Sequence, residues 1–272
     1  NPANGVVLYY ELPKLKDSRS ITLEVIDSKG KTIRTIGSEK DPTYKPHNGG
    51  GAPPAPLLTK KEGLNRFVWD MEYPIMPSIP GVYMEAGFGG HSVSPGIYTF
   101  KLSVEGQTVS TTGTIKELPT YETKPGQYEE YDAFMTVAEQ ELTKMHNMIN
   151  QLHAVEENLK EMLKDVSNAS VKKEGEKLLA DMKAWDEDMV QRKSQAYDDV
   201  ENFPNKFSAE YIFMINQTSS TIPRLNKASK DRKVELDAQW AGLKARGNQF
   251  INTAIPAYNK VLWEAGIGAL RL

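Results

Sequence analysis

The sequence contains no cysteine, which excludes disulfides, thiolate metal ligands and thiol nucleophiles together. Histidine is nearly as scarce, with four in 272 residues, so imidazole chemistry has few places to reside. No run of about 18 apolar residues occurs, so no membrane-spanning helix is expected. An excess of one charge is missing too. The 33 Lys and Arg against 36 Asp and Glu leave a net charge of −3, without the clustered basic face that nucleic acid requires. What is present is a globular composition, 39% hydrophobic and 25% charged, in a length that suits two domains better than one. The first residue is Asn, with no initiator Met or signal peptide, as expected of a piece of a longer chain.

Proline and glycine are unevenly spread. Residues 1–125 hold 13 of the 16 Pro and 14 of the 20 Gly, a density that long helices do not tolerate. After Gly126 only Pro204, Pro223 and Pro256 remain. The boundary falls in the polar linker of residues 118–126, giving a domain over 1–120 and another over 127–272.

The first domain alternates with period two. Tyr98, Phe100, Leu102 and Val104 share one face, and Ile97, Thr99, Lys101 and Ser103 share the other. Glu105-Gly106 then turns the chain into a strand over Gln107–Ile115. Ile21–Asp27 turns at Ser28-Lys29-Gly30 into Lys31–Ile36, and Val6–Leu12 and Leu64–Asp70 complete the set. Strands with turns and no helix between them predict an antiparallel β-sandwich. Two long stretches, 37–58 and 71–96, read as loops of the kind that are functional or disordered.

The second domain switches to a period near 3.6. Phe134, Ala138, Leu142, Met145, Ile149, Leu152, Leu159, Leu163 and Val166 form one stripe, on a helix from about Tyr128 to Val166. Partner stripes follow: Leu178, Met182, Trp185, Met189, Ala196 and Val200; Phe207, Tyr211, Met214, Thr218 and Ile222; Leu236, Trp240, Leu243, Phe250, Ala254 and Val261. Ser170, Ser208 and Ser229 stand where N-caps are expected. Pro204 separates the second helix from the third, Pro223 ends the third, and Pro256 kinks the fourth. The expectation is an antiparallel bundle of three or four helices, with no internal repeat.

No catalytic constellation emerges. His146 and His153 are seven apart, near Glu156 and Glu157, but the zinc spacing His-Glu-x-x-His is absent, and solvated or satisfied helix histidines are expected. His47 and His91 lie in the two long loops. Asp70 and Glu72 flank Met71 on one side of a strand end, where a turn-capping role is expected over a glycosidase acid–base pair. Asp186, Glu187 and Asp188, like Asp198, Asp199 and Glu201, lack the calcium-loop spacing and read as solvated helix faces. No Gly-x-Ser-x-Gly elbow or phosphate loop is present, and Gly87-Phe-Gly-Gly90 lacks the Lys and following helix of one. Asn168 and Asn216 begin glycosylation-type triplets. No catalytic residue, metal ligand or cofactor is therefore assigned. Phe67 and Trp69 read as core, and the Met and Trp stripe of the helices as core filling. Four loop residues stay as candidate ligand-binding positions: Tyr73, Tyr83, Phe88 and His91.

Several segments carry a likeness. Asn1–Leu12, Ile21–Lys31 with Ile33-Arg34-Thr35, Gly63-Leu-Asn-Arg-Phe-Val-Trp-Asp-Met-Glu-Tyr-Pro74 and Pro95–Leu102 together resemble the region after the β-propeller in secreted bacterial BNR or sortilin-like propeller proteins, often labelled glycosyl hydrolases. Phe203-Pro-Asn-Lys206 and Ala257-Tyr-Asn-Lys260 are similar to turns of the helical segment that follows. The resemblance implies an immunoglobulin-like sandwich, an extracytoplasmic location and an N-terminal propeller in the parent chain as partner. The propeller's Asp-box, Ser-x-Asp-x-Gly-x-x-Trp, does not occur here, so the resemblance carries over no catalytic residue. The leading expectation is a non-catalytic accessory or interaction module. A carbohydrate-binding module using loop aromatics, a hydrolase with a junction site built on His91, Asp70 and Glu72, and a dimer built on the helices are the alternatives.

Overall fold

The computed structural model describes residues 1–15, 19–46, 50–120 and 122–271; His47 lies outside them. Among the described residues six strands come first: β1 (Val6–Leu12), β2 (Ile21–Ile26), β3 (Thr32–Gly37), β4 (Gly63–Trp69), β5 (Gly96–Val104) and β6 (Gln107–Ile115). They form two antiparallel sheets, β1-β4 and β3-β2-β5-β6. Turn chemistry sets the pairing. Glu105 and Gly106 both take positive φ (50° and 81°), the two left-handed residues of a tight hairpin between β5 and β6. At the β2–β3 turn, Asp27 Oδ1 accepts from the backbone N–H of Lys29 and Lys31, and Gly30 supplies φ 80°.

The alternation seen in the sequence becomes a core. Ile21, Leu23 and Val25 of β2 and Tyr98, Phe100 and Leu102 of β5 pack with Leu12, Phe67 and Trp69 from the other sheet. Trp69 sits at the centre, 5.5 Å from the Tyr98 ring and 5.6 Å from Phe100, tilted and edge-on respectively.

The helical part contains α1 (Gln127–Asp165), α2 (Ala169–Met189), a 3₁₀ turn (Tyr197–Glu201), α3 (Phe207–Ser219), α4 (Lys227–Gln249) and α5 (Ile255–Glu264). The 39 residues of α1 make a rod of roughly 58 Å. Its stripe from Ala138 through Leu163 is buried against α2, α3 and α4. Each Leu, Ile, Val or Met side chain of it removed from water contributes about 1.5–3 kcal/mol.

Four details differ from the sequence expectation. The caps are asparagines, not serines: Asn168 Oδ1 accepts from Ser170 and Val171 N–H, and Asn226 Oδ1 from Ser229 N–H, so Ser170 and Ser229 lie inside the first turn. The α3 N-cap is Lys206, without a side-chain cap, and Ser208 is buried within the helix. The second helix stops at Met189, leaving Ala196 and Val200 outside it. There Arg192 reaches back to both carboxylate oxygens of buried Asp186 (2.5 and 2.6 Å), and Asp199 Oδ2 collects the Gln195 and Ala196 N–H groups. Likewise α3 ends at Ser219, before Ile222. Near Pro256, which has no N–H to donate back along the helix, the chain passes through a π-helical turn at Phe250–Ala254 before α5.

The largest correction concerns residues 71–96, read as a long functional or disordered loop. Met76, Ile79, Val82, Met84 and Phe88 are buried in the same core as Leu142, Met145 and Trp185 of the helices. The stretch leaves the sheets and returns to them by way of the interior of the bundle.

Candidate functional site

Polar bonds fix this inserted stretch to the helices along its length. The Asn150 amide donates to Ser78 O (2.9 Å), and the Asn216 amide both donates to Gly87 O (3.0 Å) and accepts from Gly87 N–H (2.5 Å). Tyr83 N–H donates to Ser194 O (2.8 Å), and the Ser194 hydroxyl donates to Tyr83 O (3.1 Å). His146, fully buried on α1, bonds through Nδ1 to Pro77 O at 2.7 Å. The carbonyl can only accept, so Nδ1 carries the proton, and the other ring nitrogen is buried without a hydrogen-bond partner. Burial, opposed by the Pro77 bond, lowers the His146 pKa to about 4.

The polar focus is where the stretch rejoins the sheet. His91 is buried between two carboxylates of α1. Its backbone N–H donates to Glu139 Oε1 (2.7 Å), its Nδ1 faces Glu139 Oε2 (2.9 Å), and its Nε2 faces Asp132 Oδ1 (3.2 Å). Asp132 and Glu139 are seven residues apart, two turns along one face of the helix. The Tyr73 hydroxyl donates to the same Asp132 oxygen (2.7 Å), and its ring stacks on the imidazole at 4.1 Å and 13°. Tyr131 closes the other side edge-on at 5.8 Å. Gly90 lets the strands of this loop touch: a Cβ there would lie 2.6 Å from the Tyr73 carbonyl carbon and 2.7 Å from Pro74 O.

Electrostatics shift His91 and Asp132 toward their charged forms. Burial pulls the His91 pKa down, but hydrogen bonds and attraction from Asp132 and Glu139 outweigh it, and the net shift is upward. Burial raises the Asp132 carboxyl, and the bonds from His91 and Tyr73 bring it below its ordinary value. Beside it, Glu72 is pushed up by burial, then by repulsion from Asp70 and Glu139, with Arg34 opposing. Arg34, buried on β3, bonds Asp70 Oδ1 (2.6 Å) and Glu72 O (3.0 Å), while Asp70 Oδ1 accepts from Glu72 N–H (3.2 Å). Asp70 thus serves the turn, and Glu72 pairs in an isolated bridge with Ser92.

Two clefts flank the cluster. One of about 590 Å³ is lined by Tyr73, Tyr98, Asp132, Glu129, Asp27 and Lys29, among others. The other, about 410 Å³, lies between Ile33, Pro74, Thr136 and Glu139, and Tyr73 borders both. His91 lines neither. With its ring enclosed and both nitrogens bonded to carboxylates, it has no free lone pair with which to take a proton or bind a metal. What the cluster can do is hold a loop against a helix, and present one oxygen-rich wall, Asp132 beside Tyr73 and Tyr98, to a polar ligand.

Of the four positions flagged in the sequence, Tyr73 and His91 come together here. Tyr83 is half-buried, its ring edge-on to exposed Tyr197 at 6.2 Å. Phe88 does not belong to an exposed surface: it is 3% exposed, inside the bundle core, because the loop that carries it is interior. Asp132, Glu139 and Tyr131 were not singled out from the sequence. A signal for Glu139 existed, since it follows Ala138 and precedes Leu142 on the buried side of α1, and a carboxylate there demands a partner. Compared with known protein families, curated proteins and solved structures, the chain matches none.

Proposed function

We propose that this chain is a non-catalytic accessory and interaction module, the C-terminal part of a larger extracytoplasmic propeller protein of the glycosyl hydrolase type, with an immunoglobulin-like sandwich. The observation that carries the non-catalytic reading is the state of His91. His91, at the junction, has both nitrogens committed to Glu139 and Asp132, and the nearby Asp70 is held by Arg34. Two of the three groups named for a junction hydrolase are thereby engaged, His91 in holding its loop to α1 and Asp70 within the sheet part. The propeller context rests on the segments around Gly63–Pro74 and Pro95–Leu102 and on their likeness to that family.

The test has two arms. The purified chain, incubated with aryl glycosides and polysaccharides, is expected to give no release above a protein-free control, and the natural precursor upstream of Asn1 is expected to carry repeated Asp-boxes. Turnover that disappears in a folded Glu72→Gln or Asp132→Asn variant would overturn the non-catalytic reading. A precursor without a propeller would overturn the context alone.

A further inference from the structure

We propose that α1 carries a divalent transition-metal site formed by His153, Glu156 and Glu157. The three residues occupy positions i, i+3 and i+4 and so share one helix face. One ligand atom from each, an imidazole nitrogen and two carboxylate oxygens, lies within 4.8 Å of the others. Around a zinc ion, nitrogen and oxygen ligands sit at about 2.0–2.2 Å, so neighbouring ligand atoms end up roughly 3.3–3.5 Å apart. Small side-chain rotations on a rigid helix close that gap.

Two features separate this group from an ordinary charged helix face. The His153 side chain is 35% exposed, but its Nδ1 atom is shielded from solvent and makes no hydrogen bond, with Glu156 Oε2 at 3.5 Å. A buried nitrogen left unbonded is costly, and a metal ion would satisfy it. Glu156 is largely enclosed, its side chain 13% exposed, while Glu157 is 49% exposed and leaves a path from solvent. Lys160 approaches Glu157 at 3.4 Å and is the one cation near these oxygens among the contacts of the described residues. His146, seven residues or two helical turns away and fully buried, is not part of the site. Three protein ligands leave the remaining coordination to water, and one imidazole with two carboxylates suits zinc, cobalt or nickel better than calcium.

Calorimetric titration of the intact, chelator-stripped chain with Zn²⁺ tests this. The expected result is saturable binding of one equivalent, weakened by at least about tenfold in His153→Ala and in Glu157→Gln. Lys160→Ala is expected to keep or tighten binding. Zn²⁺ should also raise the melting temperature of the wild-type chain and not that of His153→Ala. Absence of a one-equivalent event, or binding unchanged in both ligand variants, would overturn the site. His153 and Glu157 are partly exposed, so the variants are expected to fold, which their melting curves without metal verify.

Discussion

His91→Ala is expected to lower the unfolding free energy by roughly 3 kcal/mol, because removing one partner of a buried ion cluster strands the others. Glu139, whose side chain is 10% exposed, would face the cavity without its imidazolium; Asp132 is 36% exposed and keeps the Tyr73 hydroxyl, which holds the cost to the lower end of the usual range. For a chain of this length the corresponding fall in melting temperature is roughly 6–12 °C. His91→Asn, which keeps the backbone bond to Glu139 and offers a side-chain donor, should lie between. The pH dependence adds a signature. His91 titrates higher in the folded state, so its contribution is fully present below the unfolded value near 6.5 and is lost as pH rises through the folded one. The wild type should therefore lose part of its advantage over His91→Ala on the alkaline side. A variant within about 0.5 kcal/mol of wild type at pH 6 would show that the cluster does not hold the junction.

His146 gives the opposite sign. Its folded pKa is near 4 against an ordinary 6.5, so the unfolded chain takes up the proton first as pH falls. The stability it supports is complete above about pH 6.5, declines between 6.5 and 4, and levels off below. A shift of that size is worth about 3–4 kcal/mol at about 1.4 kcal/mol per pH unit. Urea midpoints between pH 7 and pH 4 should fall more steeply for the wild type than for His146→Gln, whose amide can donate to Pro77 O without titrating. Parallel pH profiles for the two proteins would contradict the assignment of a neutral, enclosed imidazole.

Much of the architecture was legible because it depends on local periodicity. All six strands lie within one residue of the segments read from alternation, and the α1 boundaries within one residue of those read from its stripe. The caps were misplaced by two or three residues because Asn satisfies orphan N–H groups as well as Ser, and both stood nearby. The end of α2 was missed because the apolar spacing runs on through Ala196 and Val200, whereas Arg192 and Asp199 stop the helix by tertiary bonds. The junction was hidden for the same reason. His91 meets partners 41 and 48 residues away, and periodicity carries no information on such separations. In the inserted stretch, Met76, Ile79, Val82, Met84 and Phe88 are spaced irregularly between prolines and glycines, so they read as loop residues although each fills a gap in the helical core. Composition pointed to flexibility, and packing overrode it.

A segment that belongs to the sheets in sequence lies in the core of the helices, and on this account the two parts are expected to behave as one mechanical unit. Scanning calorimetry of the intact chain examines this directly. A unit so joined should melt in one transition, with calorimetric and van't Hoff enthalpies in agreement. Two separate endotherms, one for the strands and one for the helices, would contradict it.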